Sequence, residues 1–133
     1  MLGFEYYQLY DVSPEHSAII KKKYNKKIIT ALTIENEKDI LKYKDYQNIS
    51  EIILFDSKGY EKSLSFDHSL LDKIPKNLIK MLAGNIHYND DLAKLKKITD
   101  IVDISGSLET CEKKDISKIN IFLNNLNKLN YEN

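Results

Sequence analysis

The chain contains no arginine and no tryptophan among its 133 residues. All twenty basic residues are lysines, so no planar guanidinium is present to grip a carboxylate or phosphate at two points. An anion site here must use lysine, hydroxyls or backbone N–H groups. The single cysteine, Cys111, excludes an internal disulfide and points to a reducing compartment. Twenty acidic residues balance the twenty lysines. That balance removes the electrostatic argument for a nucleic-acid or membrane partner. No apolar run reaches transmembrane length, and the start carries no signal-peptide pattern. The expected location is the cytoplasm. His16, His68 and His87 do not share metal-ligand spacing with Cys111, so no metal site is expected.

What is present suits one globular domain over residues 1–133, with 42% apolar and 30% charged residues. The organising stretch is residues 50–57, S-E-I-I-L-F-D-S. Ile52, Ile53, Leu54 and Phe55 form an apolar run too short for a typical helix. It reads as a parallel strand covered on both faces. Asp56 ends it, where open sheets and barrels of this kind place ligands and chemistry.

Four more strands flank it. The first spans residues 6–10, Y-Y-Q-L-Y, and the second residues 27–34. The fourth spans residues 79–83 and the fifth residues 100–105. Helical signals lie between them. Ser13-Pro14-Glu15 opens the first helix, with Ile19 and Ile20 expected inside. Asn36 caps a short helix through Tyr43. After a polar loop at residues 58–65, Phe66, Leu70, Leu71 and Ile74 mark another helix, ended by Pro75. Asn89 is the expected cap of the next, with Leu92, Leu95 and Ile98 inward. The last helix starts near Asp115, with the stripe Ile116, Ile119, Leu123 and Leu126. Five βα units in a row predict an α/β fold with a parallel sheet.

Two folds accommodate five such units. One is the doubly wound, flavodoxin-like receiver, with Asp56 as a phosphoryl acceptor. That reading lacks a hydroxyl after the fourth strand and a lysine after the fifth. Its strand order is 2-1-3-4-5. The other is part of a (β/α)₈ barrel, in sequential order. Barrels often hold phosphate in the loops after their last two strands. The last two strands here end in the small turns of Gly84-Asn85 and Ser105-Gly106-Ser107. A non-catalytic βα phosphate-binding module remains a further alternative.

Several stretches resemble one family, the phosphoribosylanthranilate isomerases of tryptophan biosynthesis. Residues 7–11, Y-Q-L-Y-D, resemble its V-Q-L-H-G at strand four. Residues 54–57, L-F-D-S, resemble L-L-D-S at strand six, and residues 66–71 resemble the F-D-W-x-L-L that follows. Residues 82–86, L-A-G-N-I, resemble L-A-G-G-L at strand seven. Residues 102–109, V-D-I-S-G-S-L-E, resemble V-D-V-S-S-G-V-E at strand eight, and Lys114-Asp115 matches a K-D.

The resemblance implies the last five βα units of a TIM barrel, here incomplete. It implies an Amadori rearrangement of N-(5′-phosphoribosyl)anthranilate, a small phosphorylated sugar-amine, with no cofactor. Asp56 corresponds to the general acid. Gly84, Asn85, Ser105, Gly106 and Ser107 correspond to the phosphate cradle. The family's general base is a cysteine at the end of strand one, and Cys111 does not correspond to it. The chain is therefore expected to be a piece of a longer protein, with Met1 internal and little activity alone. Its exposed edge strands are expected to drive self-association or pairing with an amino-terminal half.

Overall fold

The computed structural model describes residues 3–57 and 68–131. Five parallel strands form one sheet in the order β1-β2-β3-β4-β5. They are β1 (Tyr6–Tyr10), β2 (Lys27–Thr33), β3 (Ile52–Asp56), β4 (Ile79–Ala83) and β5 (Ile101–Asp103). Sequential order excludes the receiver arrangement, which requires the first strand to lie inside the second and third.

The chain between strands is helical. Helix α1 (Pro14–Tyr24) starts at the Ser13 cap with Pro14 in its first turn, and ends at Asn25 in the left-handed conformation. The capping box of Asn36 and Asp39 starts a second helix as expected, but the segment divides into α2 (Glu37–Ile40) and α3 (Tyr43–Tyr46). A 3₁₀ turn spans His68–Lys73 where a longer helix was expected. Residues 58–65, Phe66 and Asp67 lie outside the described residues. Helix α4 (Leu92–Leu95) is capped by Asp91 and not by Asn89: Asp91 Oδ1 accepts from the N–H groups of Ala93 and Lys94. A 3₁₀ turn at Gly106–Leu108 leads into a small hairpin, β6 (Glu109–Thr110) with β7 (Lys113–Lys114). Helix α5 (Ile116–Tyr131) closes the chain.

The two faces of the sheet differ. On one face Leu32, Ile53, Phe55 and Leu82 pack beneath helical residues such as Ile40, Leu71, Leu95 and Phe122. On the other, Ala31, Leu54 and Ala83 form a small cluster with Ile29 and Met81. Because side chains alternate along a strand, Tyr6, Tyr10, Asp56, Ile79, Ile101 and Asp103 belong to this second face. It is curled. In a flat sheet four steps of about 4.8 Å would hold β1 and β5 about 19 Å apart. Yet Tyr10 and Asp103 line one cavity. This inner face is also incompletely covered: Tyr6, Ile79 and Ile101 are 37%, 42% and 36% exposed.

Two helix faces differ from expectation. In α1 the buried side chain is Ser17, while Ile19 is exposed; a small side chain suits close approach to the sheet. In α5 the inward stripe is Ile119, Phe122, Leu126 and Leu129, and Ile116 and Leu123 are exposed. The tyrosines of β1 stand on a terminal strand, with Tyr6 and Tyr10 exposed.

Candidate functional site

The strands of a parallel sheet all point one way, so their carboxyl ends share one rim. There a cavity of about 610 Å³ opens on the inner face. Its wall takes residues from β1, β3, and the turns after β4 and β5. Sequence-expected residues Asp56, Gly84, Asn85, Ser105, Gly106 and Ser107 all line it.

Asp56 is held at the end of β3 by main-chain pairing, between Thr33 of β2 and Ala83 of β4. It is 9% exposed. The Tyr10 hydroxyl donates to Asp56 Oδ2 at 3.3 Å, reaching across β2 from the end of β1. Burial raises the Tyr10 pKa above the ordinary phenol value, and the negative charges of Asp56 and Asp103 raise it further. Tyr10 thus keeps its proton at neutral pH and acts as a donor to the carboxylate.

The turn after β4 is made by two consecutive left-handed residues, Gly84 at φ 79 and Asn85 at φ 52. Glycine and asparagine tolerate that region better than other residues. The Ala83 carbonyl accepts from the Ser57 N–H at 3.1 Å. The turn after β5 runs into the Gly106–Leu108 3₁₀ turn, where a side chain at Gly106 would meet open space. Ser107 Oγ is buried and has no hydrogen-bond partner. Buried hydroxyls are normally satisfied; Ser17 Oγ in α1 is likewise unpartnered, but of the two only Ser107 lines the cavity.

Sequence reasoning did not single out Tyr10, Asp103 or His87 as site residues, yet all three line the cavity. Asp103 carries the signal that marked Asp56, a carboxylate closing an apolar strand. Tyr10 stands where the resembled motif has its histidine. Asp11, at φ 55, borders a separate hollow near the start of α1. Cys111 is exposed in the β6–β7 hairpin and does not line the cavity. Among the described residues no group of three His, Cys, Asp or Glu side chains converges as a metal site would. No described helix is long and apolar enough to cross a membrane.

A family model described as N-(5′-phosphoribosyl)anthranilate (PRA) isomerase matches residues 1–125. The curated N-(5′-phosphoribosyl)anthranilate isomerase of Agrobacterium fabrum is 29% identical over 125 residues, which is 86% of this chain and 56% of that protein. The chain thus spans about half the length of the curated relatives it matches. Among solved structures, the phosphoribosyl anthranilate isomerase of Thermotoga maritima superposes with a TM-score of 0.72 at 24% identity, covering 94% of this chain and 62% of that one. A phosphoribosyl anthranilate isomerase in complex with reduced 1-(o-carboxyphenylamino)-1-deoxyribulose 5-phosphate superposes with a TM-score of 0.60 at 19% identity, covering 92% and 71%. These structural likenesses concern the fold.

Proposed function

This chain belongs to the N-(5′-phosphoribosyl)anthranilate isomerase family, and from that premise we propose that it supplies the catalytic acid and the phosphate cradle of that isomerisation. Residues 1–133 act as one domain, the last five βα units of a (β/α)₈ barrel. The carrying observation is the single cavity that unites Asp56 with the turns at residues 84–85 and 105–107. The substrate is N-(5′-phosphoribosyl)anthranilate. Its phosphate takes the backbone N–H groups of Gly84, Asn85, Ser105, Gly106 and Ser107, and the unpartnered Ser107 hydroxyl. Such a cradle suits a chain without arginine, because main-chain donors carry no side-chain cost.

In its protonated form Asp56 gives its proton to the furanose ring oxygen and opens the ring, leaving the carboxylate that accepts from the Tyr10 hydroxyl. A base then removes the C2′ proton, and the resulting enol rearranges to the aminodeoxyribulose phosphate. Tyr10 holds the carboxyl of Asp56 in place through its hydroxyl. No residue of this chain matches the family's basic cysteine. The base comes from the three βα units that complete the barrel between β5 and β1.

The structure supports that completion at both edges. The exposed inner-face residues Tyr6, Ile79 and Ile101 are those a closed barrel would bury. Beside β5 a groove of about 170 Å³, with Leu92, Leu95, Val102, Leu126 and Leu129 as its apolar lining and Lys96, Thr99, Asp100 and Asn130 as its polar lining, suits an amphipathic helix of an adjoining unit. The test is turnover of phosphoribosylanthranilate by the purified chain, alone and mixed with the first three βα units of the Agrobacterium fabrum enzyme. Activity that appears only in the mixture and is lost with Asp56→Asn supports the proposal. Activity of the chain alone that survives Asp56→Asn overturns it. A mixture that binds inorganic phosphate without turnover favours the non-catalytic module.

A further inference from the structure

We propose that Lys114 is a positioning residue for the anion cradle at residues 105–107. This rests on the phosphate reading above and adds a residue that does not line the cavity. Lys114 Nζ donates to the Ser105 carbonyl oxygen at 3.1 Å and pairs with Glu109 Oε1 at 2.6 Å. The same carbonyl accepts from the Leu108 N–H at 3.1 Å. A peptide group is a rigid plane whose C=O and N–H point opposite ways. Two donors on the Ser105 carbonyl therefore fix the direction of the Gly106 N–H, turned away from Lys114. Gly106 and Ser107 line the cavity and Lys114 does not, which is consistent with a Gly106 N–H aimed at the cavity.

Other bonds hold the lysine and the loop together. Glu109 anchors the ammonium group. The Glu109 carbonyl accepts from Lys118 Nζ at 2.6 Å, and the Asp115 N–H donates to the Leu108 carbonyl at 2.8 Å. The start of α5 thus clamps the outer side of the turn, leaving its inner side to the ligand. A general electrostatic role for Lys114 would attract an anion without orienting the peptide, and the two roles are separable.

The test uses the full chain labelled with nitrogen-15 and titrated with inorganic phosphate, followed at the amides of Gly106 and Ser107. Lys114→Met is expected to weaken phosphate binding about tenfold, the scale of one hydrogen bond to a charged group. It is also expected to shift the Gly106 amide before any phosphate is added. Lys114→Arg, which keeps a donor in reach of the carbonyl, restores both. Unchanged binding in Lys114→Met overturns the inference. So does weaker binding with an unmoved Gly106 amide, which assigns the lysine to charge alone. If Lys114→Met does not fold, Glu109→Leu reads the same point by removing the acceptor that anchors the ammonium group. An unmoved Gly106 amide in that variant overturns the inference. Absence of saturable phosphate binding by the unaltered chain overturns the phosphate reading itself, and this inference with it.

Discussion

The two ends of the sheet carry similar polar side chains and use them differently. At the amino end they are saturated by the protein itself. Glu51 binds Lys21 through one carboxylate oxygen and the Ile28 N–H, at 2.7 Å, through the other. Lys21 also reaches the Ile49 carbonyl at 2.6 Å. The buried hydroxyls of Thr30 and Ser50 lie 2.6 Å apart, and Thr99 Oγ1 donates to Lys80 O and Ile101 O. At the carboxyl end the chain turns through left-handed residues, leaves Ser107 Oγ unpartnered and surrounds a cavity. One end ties strands to one another; the other holds polar groups ready for something outside the fold. A barrel separates stability and chemistry between its two rims in this way.

The largest effect that tests this contrast is on chemistry. Asp56→Asn is expected to lower turnover of the completed barrel about a thousandfold, within the range of a general acid. Its effect on the urea midpoint should be small, because the amide preserves shape and strand pairing. A large loss of stability with retained turnover would make Asp56 a structural residue and erase the distinction between the rims.

At the opposite rim the same kind of carboxylate should behave in reverse. Glu51→Ala leaves the Ile28 N–H and the Lys21 ammonium without their partner, and should cost about 2 kcal/mol in urea unfolding. Phosphate affinity should not move. The effect has a pH signature. Burial pushes the Glu51 pKa up, but Lys21 and the Ile28 N–H outweigh it, and the folded-state value lies below the ordinary 4.5. A lowered folded value means the contribution is complete above the unfolded value and is lost as pH falls through the folded one. Glu51→Gln should therefore flatten the acid limb of stability against pH below about 4.5.

How far the sequence discloses this arrangement depends on range. Strands β1 and β4 fall where the apolar runs predict, because a carboxylate or glycine closes each run. Five βα units leave the strand order open between 2-1-3-4-5 and sequential, and the hydrogen-bonded pairing of the sheet decides for the sequential one. The α5 stripe is ambiguous because residues 116–126 and 119–129 offer two apolar rows that share Ile119 and Leu126. Burial of the larger Phe122 decides between them, and that depends on the sheet beneath. Ser17 reads as polar until its closeness to the sheet is known. Tyr10 is least legible: its bond to Asp56 spans 46 residues and exists only because the sheet curls.

That curl gives a smaller prediction. Tyr10→Phe removes the donor to Asp56 and should reduce turnover about tenfold, with stability changed by less than about 1 kcal/mol, because Tyr10 is 39% exposed and its hydroxyl bond to Asp56 is only partly buried. The phenol offers a second measurement. Its pKa is raised first by burial and then by Asp56 and Asp103. A raised folded value means the neutral-phenol contribution is complete below about 10 and is lost as pH rises through the folded value. Burial and nearby acids also raise the Tyr46 pKa, so ultraviolet titration of Tyr10→Phe should lose one of the late-ionising components. A titration curve that keeps that component would place the hydroxyl away from both carboxylates.

The smallest effect is the most discriminating. Ser107→Ala removes a buried hydroxyl that has no partner in the folded chain, so folding should be unchanged or favoured by up to about 1 kcal/mol. Ser50→Ala removes a hydroxyl of similar burial and leaves Thr30 Oγ1 without its 2.6 Å partner, so it should cost about 1–2 kcal/mol. The same chemical change thus carries opposite signs at the two rims. Phosphate affinity should reverse the pattern, falling several-fold in Ser107→Ala and staying constant in Ser50→Ala. Equal stability losses in the two variants would mean that Ser107 serves the fold, and the cavity would lose its best polar evidence for a ligand. A polar group that costs stability and contributes affinity is what a binding rim is expected to keep.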